Sequence, residues 1–171
     1  LACAVLSPAA SAGGPGMALG VAEDVVRVPD LVGARAQLNL LRVAGFSTVR
    51  ITSQWQPGYV APPEGELAVL RSVEAAARLT GVRVIVSVYH PGSRTTPLTP
   101  EAQDQLARYV GALVAALPSF DDVVIGNEPN LNRFWLPQFN LDGSIASAPA
   151  YLSLLARTYD AAKAADPTVR I

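Results

Sequence analysis

From residue 17 onward, apolar positions fall into alternating short and long blocks. Residues 17–21 are a short apolar run that predicts a strand, followed by the acidic pair Glu23 and Asp24. Over 31–44, Leu31, Ala34, Leu38, Leu41 and Val43 or Ala44 recur at helical spacing, and Gly45 stops the pattern. Residues 46–52 set Val49 and Ile51 against Arg50, which predicts a second strand. A second helix follows over 66–80, carried by Leu67, Leu70, Val73, Ala77 and Leu79 and terminated by Gly81. Residues 82–88 are nearly continuous in Val and Ile, as in a parallel strand covered on both faces. Thr99-Pro100-Glu101 supplies a cap, a first-turn proline and an early acid for a third helix that ends before Pro118. Val123, Val124 and Ile125 form a fourth, short strand, and a fourth helix spans 149–165 before Asp166-Pro167 breaks it. Residues 169–171 have the look of a fifth strand beginning.

Four strand–helix units and the start of a fifth admit two α/β architectures. An open, doubly wound sheet that binds phosphates carries a glycine-rich turn after its first strand, whereas residues 22–30 hold three acids and no glycine. The other architecture is the (β/α)₈ TIM barrel, which needs about 250 residues. The expectation is therefore an N-terminal half barrel over 17–171, strands 1–4 with their helices plus the start of strand 5. Such a half exposes two sheet edges, so its missing C-terminal half is an expected partner.

Composition narrows the partners. Half of the 171 residues are hydrophobic, and thirteen basic against fourteen acidic residues leave a net charge of -1. With no basic block and no aromatic–basic interleaving, nucleic acid is not an expected partner. No run is apolar enough to span a membrane. Residues 1–16, LACAVLSPAASAGGPG, stand outside the strand–helix rhythm. Ala10-Ser11-Ala12 resembles a signal-peptide cleavage site, implying a secreted protein, with a plain disordered leader as the alternative. Cys3, the only cysteine, would leave with that segment. His90 is the only histidine, so no metal and no cofactor is expected.

The chemistry gathers where strand 4 ends, in Gly126-Asn127-Glu128-Pro129. An amide and a carboxylate placed directly after a buried strand cost desolvation unless the strand opens onto a cleft, and a barrel puts its site on that carboxyl edge. Arg50, among apolar neighbours on strand 2, either calls for a carboxylate partner, Glu128 first, or reaches solvent from the strand end. Trp55 and Trp135 lie in long loops of the same face, where an aromatic ring either stacks on a sugar or anchors its loop. His90 follows strand 3 as a sugar contact or a turn residue.

With these residues in view, the Asn127-Glu128-Pro129 sequence resembles the Asn-Glu-Pro signature of retaining glycoside hydrolases of the large (β/α)₈ clan that includes cellulases and β-xylosidases. The resemblance covers the four units in order and implies hydrolysis of β-linked oligo- or polysaccharides. It makes Glu128 the general acid/base and Asn127 the partner of the sugar 2-hydroxyl. It likens Arg50 to the clan's buried arginine beside the carboxylates and His90 to its sugar-edge histidine. The clan's nucleophile is a glutamate ending the seventh strand, and no residue here matches it. A non-catalytic carbohydrate-binding barrel is the alternative, and a divalent-ion site built on Glu23, Asp24 and Glu128 is a more distant one.

Overall fold

The structure, a computed structural model, describes residues 17–171. The leader and cleavage-site expectations fall on residues 1–16, outside the described residues. Four parallel strands, β1 (Gly20–Ala22), β2 (Thr48–Gln54), β3 (Arg83–Tyr89) and β4 (Asp122–Ile125), lie side by side in chain order. Helices α1 (Leu31–Val43), α2 (Glu64–Thr80) and α3 (Pro100–Ala116) connect them, and α4 (Ser147–Ala165) follows β4. A doubly wound sheet reverses direction at a switch point; an order that never reverses is the order of a barrel wall. Arg170 bridges in parallel to Asp122, so the fifth strand begins where the pattern places it.

The caps follow the sequence. Asp30 accepts from the Gly33 N–H at 2.7 Å to start α1, and Thr99 Oγ1 accepts from Ala102 N at 3.2 Å ahead of Pro100. Some boundaries differ from the expectation. β2 runs to Gln54 because Thr52, Ser53 and Gln54 still pair with β3 through Ser87, Val88 and Tyr89, so ladder bonds override polar side chains. α4 begins at Ser147, two residues before Pro149, because a first-turn proline forfeits no intrahelical bond.

Alternation decides which side chains meet the helices. Val49, Ile51, Val84, Val86, Val88, Val123 and Ile125 are all buried against them. The other face carries Arg50, Thr52, Ile85 and Tyr89, each half-buried, and Val124, 38% exposed. The register aligns Arg50 with Ile85 and Asp122, and Thr52 with Ser87 and Val124. β3 is thus covered on its helix face and partly open on the other, where a closed barrel has its interior. Among the described residues no helix is long and apolar enough to cross a membrane.

Candidate active site

The carboxyl ends of the strands carry the polar groups. Ala22, Glu23, Asp24, Arg50, Thr52 and Tyr89 line a cleft of about 290 Å³ at the ends of β1, β2 and β3. Its shape is fixed by the backbone. Glu23 N donates to Arg50 O at 3.1 Å, extending the β1–β2 ladder. Asp24 Oδ1 accepts from Thr52 N at 2.7 Å, and Glu23 Oε1 accepts from Val25 N at 3.1 Å. Both acids are committed to holding the loop after β1. Thr52 Oγ1 and Tyr89 Oη approach to 3.4 Å. One guanidinium, hydroxyls and two carboxylates suit a polyhydroxylated ligand.

Beyond β4 the chain turns sharply. Gly126 has φ 82°, and Glu128, at φ 42°, is the one non-glycine residue of positive φ among the described residues. A left-handed backbone costs a residue with a Cβ about 1 kcal/mol or more. The turn is held from both sides: Gly126 N donates to Val88 O at 2.8 Å, and Tyr151 Oη of α4 donates to Ile125 O at 2.7 Å. Glu128 O accepts from Leu131 N at 3.0 Å, so the backbone is engaged while the exposed carboxylate bonds no other described residue. Asn127 is half-buried beside it.

The expected site residues separate into two groups. Asn127 and Glu128 stand at the carboxyl edge, whereas Arg50, in register with Asp122 at the start of β4, lies mid-strand in a cleft that Glu128 does not line. The expected carboxylate partner of Arg50 is absent among the described residues, because its sheet face is open and the half-buried guanidinium keeps its solvation. His90, Trp55 and Trp135 lie beneath the surface. Trp55 is fully buried, its Nε1 donating to Tyr59 O at 2.8 Å, and Trp135 is 2% exposed. Neither ring offers a face to a sugar in this conformation; both act as loop anchors, since large apolar rings gain more from burial than from a solvent-exposed edge.

His90 is 4% exposed, with Nδ1 2.9 Å from Gly92 O. A carbonyl only accepts, so Nδ1 carries the proton. Burial lowers the pKa of the ring, more than the Gly92 contact raises it, and His90 is therefore neutral near pH 7. His90 and Tyr151 both meet Trp135 edge-on, each with centroids 6.0 Å apart. This row supports the turn that carries Glu128. Tyr151 escaped the sequence reading, because a tyrosine on an amphipathic helix carries no mark of the strand end it will reach. Among the described residues no group of three His, Cys, Asp or Glu could hold a metal.

No family model and no curated protein matches this chain. Solved structures do. The virulence factor SghA from Agrobacterium tumefaciens superposes with a TM-score of 0.64 at 17% identity, over 89% of this chain and 46% of its own. A β-glucosidase from Thermotoga maritima gives 0.64 at 14% identity, over 92% and 47%. GH5_18 from Streptomyces cattleya, solved with GlcNAc, gives 0.63 at 21% identity, over 88% and 42%. The fold is half of a (β/α)₈ barrel. The chain spans less than half the length of each of these neighbours, and the likeness at such identity is one of fold.

Proposed function

We propose that this chain carries the acid/base half of a retaining glycoside hydrolase site acting on β-linked oligo- or polysaccharides. Glu128 is the general acid/base, Asn127 contacts the sugar beside the scissile bond, and Arg50 lies deeper on the sheet face, in the polar cleft. The observation that carries the reading is the backbone of Glu128: an energetically costly φ at the carboxyl end of a barrel strand, holding a carboxylate that no other described residue bonds. Strain of this kind persists where the position of a side chain matters.

In this mechanism the Glu128 carboxyl group gives its proton to the departing glycosidic oxygen while a second carboxylate attacks the anomeric carbon. Glu128, now a carboxylate, then takes a proton from the water that releases the glycosyl–enzyme intermediate. The two carboxyl groups must lie about 5–5.5 Å apart. Glu23 and Asp24 are tied to loop backbone, so the nucleophile is assigned outside residues 17–171, to the strands that complete the barrel.

The test uses the full-length protein on β-linked aryl glycosides and plant polysaccharides. Glu128→Gln should lower kcat on unactivated substrates by about 10²–10⁴, and azide should restore turnover of activated aryl glycosides to Glu128→Ala as a glycosyl azide. Unchanged activity in both variants would overturn the assignment. Polysaccharide binding without hydrolysis in the wild type would favour a sugar-binding barrel.

A further inference from the structure

A second cleft, of about 330 Å³, opens between the turn after β3 and the loop after β4, lined by Pro91, Gly92, Ser93, Arg94, Thr95 and Arg133. Its volume is in the range of small-ligand sites, and it contains two guanidiniums and no acid. The two segments are joined: Ser93 N donates to Arg133 O at 3.0 Å, and Thr95 Oγ1 donates to Gly92 O at 2.8 Å. Both arginines are exposed, so their guanidiniums are open to a ligand arriving from solvent.

Among the described residues, five of the ten other arginines are neutralised. Arg27, Arg71, Arg83, Arg157 and Arg170 each sit on a carboxylate. Arg94 and Arg133 have none among the described residues, and apart from Arg50 the other arginines without one lie on α1, α2 and α3. Arg133 is also held in place, its guanidinium 5.4 Å from the centre of the Phe134 ring. Phe134 in turn meets Tyr89 edge-on, centroids 6.3 Å apart, and Tyr89 lines the cleft of Arg50. The basic cleft therefore adjoins the polar one along the same strand ends.

We propose that Arg94 and Arg133 form a subsite for an anionic sugar unit of the substrate, a uronosyl carboxylate or a sulfate ester. The proposal rests on the glycosidase reading above and deepens it. A guanidinium presents parallel N–H donors to two oxygens of one anion, and two such groups around a cleft hold it from both sides. A neutral sugar gains nothing comparable there.

The experiment is isothermal titration of the full-length protein, carrying Glu128→Gln to prevent turnover, with a glucuronic-acid-bearing oligosaccharide, its carboxyl-reduced form and a sulfated form of the latter. The expected result is affinity at least about tenfold higher for one of the acidic ligands than for the reduced one. That preference should shrink as salt is raised, disappear in Arg94→Gln/Arg133→Gln, and survive Arg35→Gln on α1. The ligand that shows it identifies the anion. Equal affinities, or a preference that persists in the double variant, would overturn the subsite. Hydrolysis of the reduced ligand by the wild type alongside equal affinities would overturn the subsite alone; absence of binding and hydrolysis for all three would overturn both readings.

Discussion

Two neighbouring residues with positive φ should answer substitution with opposite signs. Gly126, at φ 82°, leaves little room for a side chain, since a Cβ there would stand 3.0 Å from Tyr151 Cε2 and the ring would have to yield. Gly126→Ala combines backbone strain with that contact and should cost about 1–2 kcal/mol, read as a lower urea midpoint. Glu128 has the reverse problem, a Cβ in a backbone region that glycine occupies freely. Glu128→Gly should therefore raise stability by about 1 kcal/mol while removing the proposed acid/base. A loss of stability in Glu128→Gly would mean that the carboxylate contributes to the fold and would count against a functional origin for the strain. Tyr151→Phe, which leaves Ile125 O without its donor, should cost about 1 kcal/mol. Because Gly126 packs on the same ring, its effect should not add to that of Gly126→Ala.

At the scale of elements, the strands set the rows and the loops decide what shows. Elements were legible in the sequence because their determinants are local: helical spacing in α1 and α2, the Thr99-Pro100 cap, and alternation in β2. The placement of Asn127 and Glu128 after β4 was legible for the same reason, as a buried β-branched run ending in a glycine. The inward fate of Trp55, Trp135 and His90 was not, because whether a loop aromatic faces solvent depends on what lies under the loop. Trp135 meets His90 of β3's end and Tyr151 of α4, residues 45 positions before and 16 after it in the sequence. The loop after β4 is pinned by that ring, with Gln138 Nε2 donating to Trp135 O at 2.8 Å. Trp135→Ala should cost about 3–5 kcal/mol and Trp135→Phe clearly less, measured by chemical denaturation. If Trp135→Ala left stability unchanged but weakened oligosaccharide binding, the ring would be a sugar platform and the anchor assignment wrong.

For the whole molecule, three groups in different places bend the dependence of stability on pH. At the amino-terminal edge of the sheet, Arg83 and Arg170 bracket Asp122 and hold its carboxyl far below 3.8, chiefly through hydrogen bonds. The unfolded chain takes a proton near pH 3.8 and the folded one does not, so this contribution is present above 3.8 and is lost as pH falls further. His90 acts higher on the same side. Burial lowers its pKa from 6.5, so below pH 6.5 the unfolded state binds the proton first and stability declines with falling pH. On the alkaline side Tyr109, fully buried with its hydroxyl 2.9 Å from Ser53 Oγ, is pushed up from 10.0 to about 12 by desolvation. Between these values the unfolded state loses its proton while the folded state keeps it, so stability falls as pH rises. Denaturant midpoints across pH should therefore form a plateau between 6.5 and 10 with a shoulder on either side. His90→Gln should remove the decline that starts at pH 6.5, and Tyr109→Phe should reduce the one that starts at 10.0, the remainder coming from Tyr151, which burial also raises. A wild-type profile flat from neutral pH down to 3.8 would show that His90 takes its proton as readily in the fold as out of it, and that the ring is not enclosed between Gly92 and Trp135.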